Sequence, residues 1–309
     1  MPIVVPWSVE VGEGLGSLLD DDGGEPGLRT RLSSLRDRIF HELGVPLPAP
    51  RIVVAPAEAM PKTTAIVSIR EIPVRTHQAA DSDDELAHDR SARARCLHAI
   101  VDDAHQAITA RAHELLGIGE TQLLLDALEE VNPAIVRQLV PKPISVTLLT
   151  DVLRRLVEER ISIRDLRTIL EGIAPAATLD KDPQNLAEAA RAALKRAITH
   201  QLAAGASKLE VYTLDKSIEE VVRGGILRTT AGSYLTLSLS ATREIVRAIE
   251  EALDEAPLAE GAPKVVLVTP DVRRHVRQIL SDHREVWVIT YDEVDHALQL
   301  VIKHTIKPR

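Results

Sequence analysis

Residues 152–174 read VLRRLVEERISIRDLRTILEGIA, two apolar runs joined by a short charged break. Leu149, Val152, Leu153, Leu156 and Val157 recur at steps of three and four, which puts them on one face of a helix over 146–159. Leu166, Ile169 and Leu170 repeat the pattern after ISIRD (161–165), and Ser162 is placed to cap that second helix. Working outward, almost all of 133–203 has helical spacing, interrupted at LVPKPIS (139–145), at ISIRD and at APAATLDKDP (174–183). Asn132-Pro133 supplies a cap and a first helical residue at the start of the stretch, and Asp182-Pro183 opens its last and longest helix. The middle of the chain is therefore a helical subdomain, 132–205.

The flanks have a different grammar. Before it, Trp7–Val11, 51–55 and 64–70 are short and β-branched, with 72–75 weakened by Pro73. Between them Leu28, Leu32, Leu35, Ile39 and Leu43 mark a helix that Gly44 closes, with PLPAP (46–50) behind it. The stretch 78–95 has few apolar residues and mixed charges, so its first half reads as a loop. Helices follow at 97–116 and 120–131, the second presenting Leu123, Leu124, Ala127 and Leu128 inward. After the helical middle, 209–214, 264–269, 286–289 and 298–306 are strand-like, with helices near 215–223, 240–254 and 271–280 and a glycine-bearing loop RGGILRTTAGSY (223–234). The fold class is α/β with mixed α+β character: an α/β first part, a helical middle and an α/β C-terminal part with a small sheet. The expected division is 1–60 with 96–131, then 61–95, 132–205 and 206–309.

Composition narrows the function. In 309 residues, 45% hydrophobic and 27% charged describe a folded chain with room for several subdomains. The net charge is −9 and aromatic residues make up only 2%, so neither a basic stripe nor a stacking platform for nucleic acid is available. Cys96 is the sole cysteine, which precludes an intramolecular disulfide and fits a reducing compartment. No window reaches the ~20 apolar residues a membrane helix needs, and the chain as given reads as soluble.

Chemistry-bearing clusters are few. GEGLG (12–16) lacks the spacing and the Lys-Ser/Thr of a phosphate loop and runs into Asp20, Asp21 and Asp22, so a plain turn is expected. Those three aspartates could meet a cation, although neighbours in a loop rarely converge on one ion. Cys96, His98, Asp102 and His105 share a helix at ligand-compatible spacing, without a closed ligand set. His113-Glu114 is half of a zinc-protease motif, and no GxSxG elbow presents a serine. No catalytic, cofactor or metal residue is assigned. The run 153–167 alternates charge beside its apolar stripe, the pattern of a solvated face or, given its arginines, of a subunit contact.

The order of AHELLG (112–117), ETQLLLD (120–126), LVPKPIS, SIRDLRTILE (162–171) and an Asp-Pro helix ending ALKRAIT (193–199) resembles the cytosolic domain of the type III secretion export-gate family, which includes flagellar FlhA and virulence SctV. VVLVTPDVRRHVRQIL (265–280) and WVITYDEV (287–294) are similar to the family's last subdomain. The resemblance implies four subdomains, assembly with copies of itself into a nonameric ring, and a non-enzymatic role collecting chaperone–cargo complexes at the cytoplasmic face of the inner membrane, beside other export apparatus proteins. It implies Arg164, Asp165, Arg167 and Arg191 as ring-contact or contact-supporting residues, no cofactor, and a membrane portion ahead of Met1 in the full-length protein. Relatives have a longer second subdomain than 61–95, so their cargo-site residues are not carried over, and the virulence branch fits better than the flagellar one. The alternatives are a degenerate regulatory or scaffolding paralogue, and a small-molecule α/β enzyme using the C-terminal sheet and the 223–234 loop.

Overall fold

The computed structural model describes residues 4–22, 24–80, 82–229, 232–259 and 261–308, without the side chains of Asp83, Asp84 and Ala87. Its chain falls into two units, 1–166 and 167–309.

The first unit opens with β1 (Trp7–Gly12), a 3-10 turn over Glu13–Leu18 and α1 (Leu28–Leu43). The five leucine and isoleucine positions expected to face inward on α1 are all buried. Gly44 ends the helix at φ +80° with its N–H donating to the Phe40 carbonyl at 2.8 Å, the left-handed closure that glycine favours. A Cβ there would also stand 2.7 Å from the Arg164 nitrogen. That crowding reflects a second tether: Ile163 donates its N–H to the Leu43 carbonyl at 2.8 Å, holding the extended run 161–165 against the end of α1. Trp7 is fully buried and donates its indole N–H to the Pro48 carbonyl at 2.9 Å, so the proline run that stops α1 also closes over β1.

Strands β2 (Arg51–Ala55), β3 (Thr64–Ile69) and β4 (Ile72–Gln78) complete a sheet of order β2-β1-β3-β4, in which β1 and β2 are parallel and the other pairs antiparallel. Pro73 is accommodated because β4 is an edge strand and its register against β3 slips just there. The charged stretch expected to begin as a loop is instead regular. Strand β4 runs to Gln78, α2 spans Asp83–His88 and α3 spans Arg90–Arg111. Ser82 and Glu85 form a reciprocal capping box, Asp89 caps α3, and the isolated Leu86 is fully buried. Caps, rather than apolar periodicity, start these helices.

After a 3-10 turn at Ala112–Leu115 come α4 (Ile118–Val131), α5 (Pro133–Leu139) and α6 (Val146–Glu158). Helix α6 buries Leu149, Val152, Leu153, Leu156 and Val157 as its spacing requires. Helix α4 is rotated part-way from the expected orientation, with Leu124 and Leu128 half-buried but Leu123 and Ala127 exposed. Its buried residues are Thr121 and Leu125, whereas Leu123 is 61% exposed. A buried threonine pair fixes this rotation: the Thr150 hydroxyl on α6 lies 2.9 Å from the Thr121 hydroxyl and shares its proton between that oxygen and the Val146 carbonyl at 2.8 Å, and Thr121 donates to the Gly117 carbonyl. Turning Leu123 inward would carry Thr121 away from that partner.

The second unit begins with α7 (Leu166–Ala177), α8 (Pro183–Ala193) and α9 (Lys195–Ala203). Because α7 starts at Leu166, Ser162 lies in the extended run and is not its cap. Asp182 does cap α8, accepting from the Gln184 N–H at 2.9 Å, but that helix closes at Leu194 and α9 continues separately. Then follow β5 (Lys208–Leu214), α10 (Lys216–Gly224), β6 (Ile226–Thr229), β7 (Gly232–Leu235), α11 (Leu239–Glu255), β8 (Lys264–Val268), α12 (Arg273–Ile279), β9 (Val286–Thr290), a 3-10 turn at Tyr291–Glu293 and β10 (Gln299–Ile306). The sheet order is β10-β5-β8-β9, entirely parallel, with a core of Tyr212, Val222, Ile249, Val266, Val276 and Val288. Much of the loop expected at 223–234 is a hairpin: Ile226 pairs with Leu235 and Thr229 with Gly232. Thr230 and Ala231 of that loop lie outside the described residues.

Candidate protein-binding surfaces

Asn185, Glu188 and Arg191 recur every third residue on α8 and therefore share one face. Each engages the α/β part of the same unit. Arg191 is 1% exposed and forms a two-pronged pair with Glu293, its Nε on Oε1 and its Nη2 on Oε2 at 3.1 Å, while Nη2 also donates to the Val288 carbonyl at 3.2 Å. Glu293 is held in turn by the Thr290 N–H at 2.9 Å. Arg273, equally buried, grips Glu188 through Nε at 2.6 Å and through Nη2. Arg274 donates to the Asn185 side-chain oxygen at 2.8 Å. Guanidinium suits this work, because its planar fork satisfies both carboxylate oxygens where water is absent.

Beside this face lies a groove of about 800 Å³. Asp180, Lys181 and Asp182 line one side, and Arg228, Ser233, Asp271 and Arg274 line the other. Arg223 holds the Asp271 carboxyl well below its usual range, at about 2, with the Thr269 hydroxyl helping. His275, 3% exposed behind Ser233, has its pKa lowered by burial and by the charges of Arg274 and Arg228. Ser233 lies 3.4 Å from the His275 Nε2 and also accepts from Arg274, so this serine is held between an imidazole and a guanidinium at the groove wall.

The residues singled out in the sequence separate by environment. Arg164, Asp165 and Arg167 are exposed. Arg164 donates to the His41 carbonyl at 3.1 Å, and Arg167 pairs with Glu171 one turn on at 3.0 Å. Arg191 is closed inside its own unit, which leaves it the contact-supporting one of the two roles expected of it. The carboxylates that hold the buried arginines were missed. Glu293 stands 102 residues from Arg191, and no local spacing announces such a pair.

The weaker chemical candidates resolve into structural parts. Leu15 of the GEGLG turn is buried, with Leu18 just after it, in a 3-10 helix. Asp21 is an anchor for the start of α1, accepting from the Gly27 N–H at 2.8 Å and the Thr30 hydroxyl at 2.9 Å, and these bonds lower its pKa. Cys96 is buried, His98 pairs with Asp102 at 3.1 Å, and His105 meets Glu42 at 2.7 Å, so the helix ladder is dispersed. Among the described residues no group of three or more His, Cys, Asp or Glu is placed to hold a metal ion. Nor is any helix among them long and apolar enough to cross a membrane.

Comparison with known proteins decides the family, since the FHIPEP family model matches residues 80–299, more than half of the chain. The chain belongs to the FHIPEP family. Among FHIPEP relatives, Protein hrpC2 of Xanthomonas euvesicatoria is 30% identical over 297 residues, 96% of this chain and 43% of hrpC2. The chain thus spans less than half the length of that relative. Among solved structures, that of the Chlamydia pneumoniae CdsV and CdsO protein complex matches with a TM-score of 0.84 at 26% identity, over 99% of this chain and 98% of the other. The nonameric EPEC SctV-C matches with a TM-score of 0.79 at 23% identity, over 99% of both chains. The fold is that of the cytosolic domain solved for these type III secretion proteins.

Proposed function

We propose that this chain is the cytosolic part of a type III export gate, which collects chaperone-bound cargo and orders its delivery to a membrane channel. The observation that carries this reading is the match to CdsV, a protein seen in complex with CdsO, over nearly the whole chain. The charge-lined groove beside α8 suits the same work. Arg273 grips Glu188 and Arg274 holds Asn185 at its wall, so a protein partner meets a partly preorganised surface. The nonameric state of SctV-C supports a ring of copies here, with Arg164, Asp165 and Arg167 at its contacts and Arg191 supporting them from within. A ring turns weak single contacts into useful avidity. Division into four subdomains, 1–60 with 96–131, 61–95, 132–205 and 206–309, and a place at the cytoplasmic face of the inner membrane belong to the same reading.

The test is a titration of purified export chaperones, with and without bound cargo, against this chain by calorimetry. Saturable binding that strengthens when cargo is loaded is expected. Equal and negligible heats for loaded and empty chaperones, with no competition between them, would overturn the cargo reading.

A further inference from the structure

Helix α4 carries Leu123, Ala127 and Val131 at steps of four, which lines them up as one stripe. Leu123 is 61% and Val131 77% exposed, and Ala127 is exposed between them. The chain's own packing takes up the opposite face through Thr121 and Leu125, so rotating the helix to hide the stripe would break the buried Thr121–Thr150 bond. Three apolar residues in register on a rigid helix form a continuous surface of the kind that marks a protein contact.

What covers it is a second copy of this chain. SctV-C, matched over 99% of this chain, is a nonamer, and a head-to-tail ring requires each copy to offer two different patches that answer one another. Charge points the same way. Asp126 and Glu130 are exposed on α4 beside the stripe, whereas exposed Arg164, elsewhere on the same unit, pairs with no carboxylate among the described residues. One copy thus carries an apolar stripe with an acidic border and, separately, an exposed arginine bonded to the His41 carbonyl and not to a carboxylate among the described residues. We infer that a neighbouring copy buries Leu123, Ala127 and Val131. This rests on the ring reading above and deepens it by naming the surface.

The experiment compares the unmodified chain with Leu123→Asp and Val131→Asp by sedimentation velocity over a wide concentration range, with circular dichroism melts of each. The unmodified chain is expected to self-associate and both variants to do so at least about tenfold more weakly, with unchanged melting temperature at dilutions where all three are monomeric. A second arm uses Val131→Cys, since the native Cys96 is buried and slow to react. Alkylation of the new thiol should slow several-fold as the chain assembles. Assembly of the aspartate variants equal to that of the unmodified chain, or an alkylation rate independent of assembly, overturns the surface and leaves the ring standing. An unmodified chain that stays monomeric throughout removes the ring reading and this surface with it.

Discussion

Helices α4 and α8 break the same rule in opposite directions. On α8 the charged residues Glu188 and Arg191 face inward and the fold is tied together by them, while on α4 the apolar Leu123 and Val131 face water. The inward charges are tolerable because each finds a two-pronged partner, which offsets a desolvation cost of several kcal/mol per ion. The outward apolar residues are tolerable because a hydrogen-bonded threonine pair fixes the opposite face. The lesson is that on these two helices the binary pattern reports which residues must be satisfied, and not by which partner. Intramolecular pairing satisfies α8, and α4 is left for another molecule.

The contrast breaks most sharply at Arg191. Arg191→Ala leaves Glu293 buried without its cation and should cost about 3–5 kcal/mol in urea unfolding, whereas replacing both partners by apolar residues of similar volume should recover much of the loss. A cost below about 1 kcal/mol for the single change would mean that the pair is not what holds α8 in place. Next in size, Leu125→Ala should cost about 2–5 kcal/mol, because Leu125 is 1% exposed, and Leu123→Ala only two residues earlier should stay within about 0.5 kcal/mol. Equal costs at the two positions would return α4 to the orientation its apolar residues first suggest. Gly44→Ala follows at about 1 kcal/mol or more, from the positive φ and the approach to Arg164, read as a lowered melting temperature.

The smallest effect is one of pH. His275 has a folded-state pKa below its ordinary 6.5, so folding disfavours its proton. Its contribution is complete above pH 6.5 and declines as the pH falls below that value. Melting of the chain at pH 7.5 and 5.5 should show this decline, and His275→Gln should flatten it. Asp271 acts lower, its contribution present above the ordinary 3.8 and lost as the pH falls towards about 2. Because Asp271 and Arg223 are both partly exposed, salt should shrink that second step.

How far the chain was legible follows from the range of the interactions involved. Helix α1 can be read to the residue and α6 to within one, because their apolar repeats and the Gly44 closure are local signals. The helices after Gln78 escape a periodicity reading because Ser82, Glu85 and Asp89 start them by capping in a stretch nearly empty of apolar residues. The β6–β7 hairpin is hidden by glycines that read as a loop. Helix α4 is apolar over too wide an arc for spacing alone to choose its buried side, and the deciding bond comes from Thr150, 29 residues away. The family likeness points to Arg191, but its partner is set by tertiary structure alone.

Leu123→Asp, measured for assembly and for thermal stability in one preparation beside the unmodified chain, bears most directly on the central claim. The account predicts that the unmodified chain associates with itself while the variant fails to, and that the two melt at the same temperature when diluted until both are monomeric. A variant that melts several degrees lower yet assembles as before would contradict it, placing Leu123 in the fold and not at the boundary between copies.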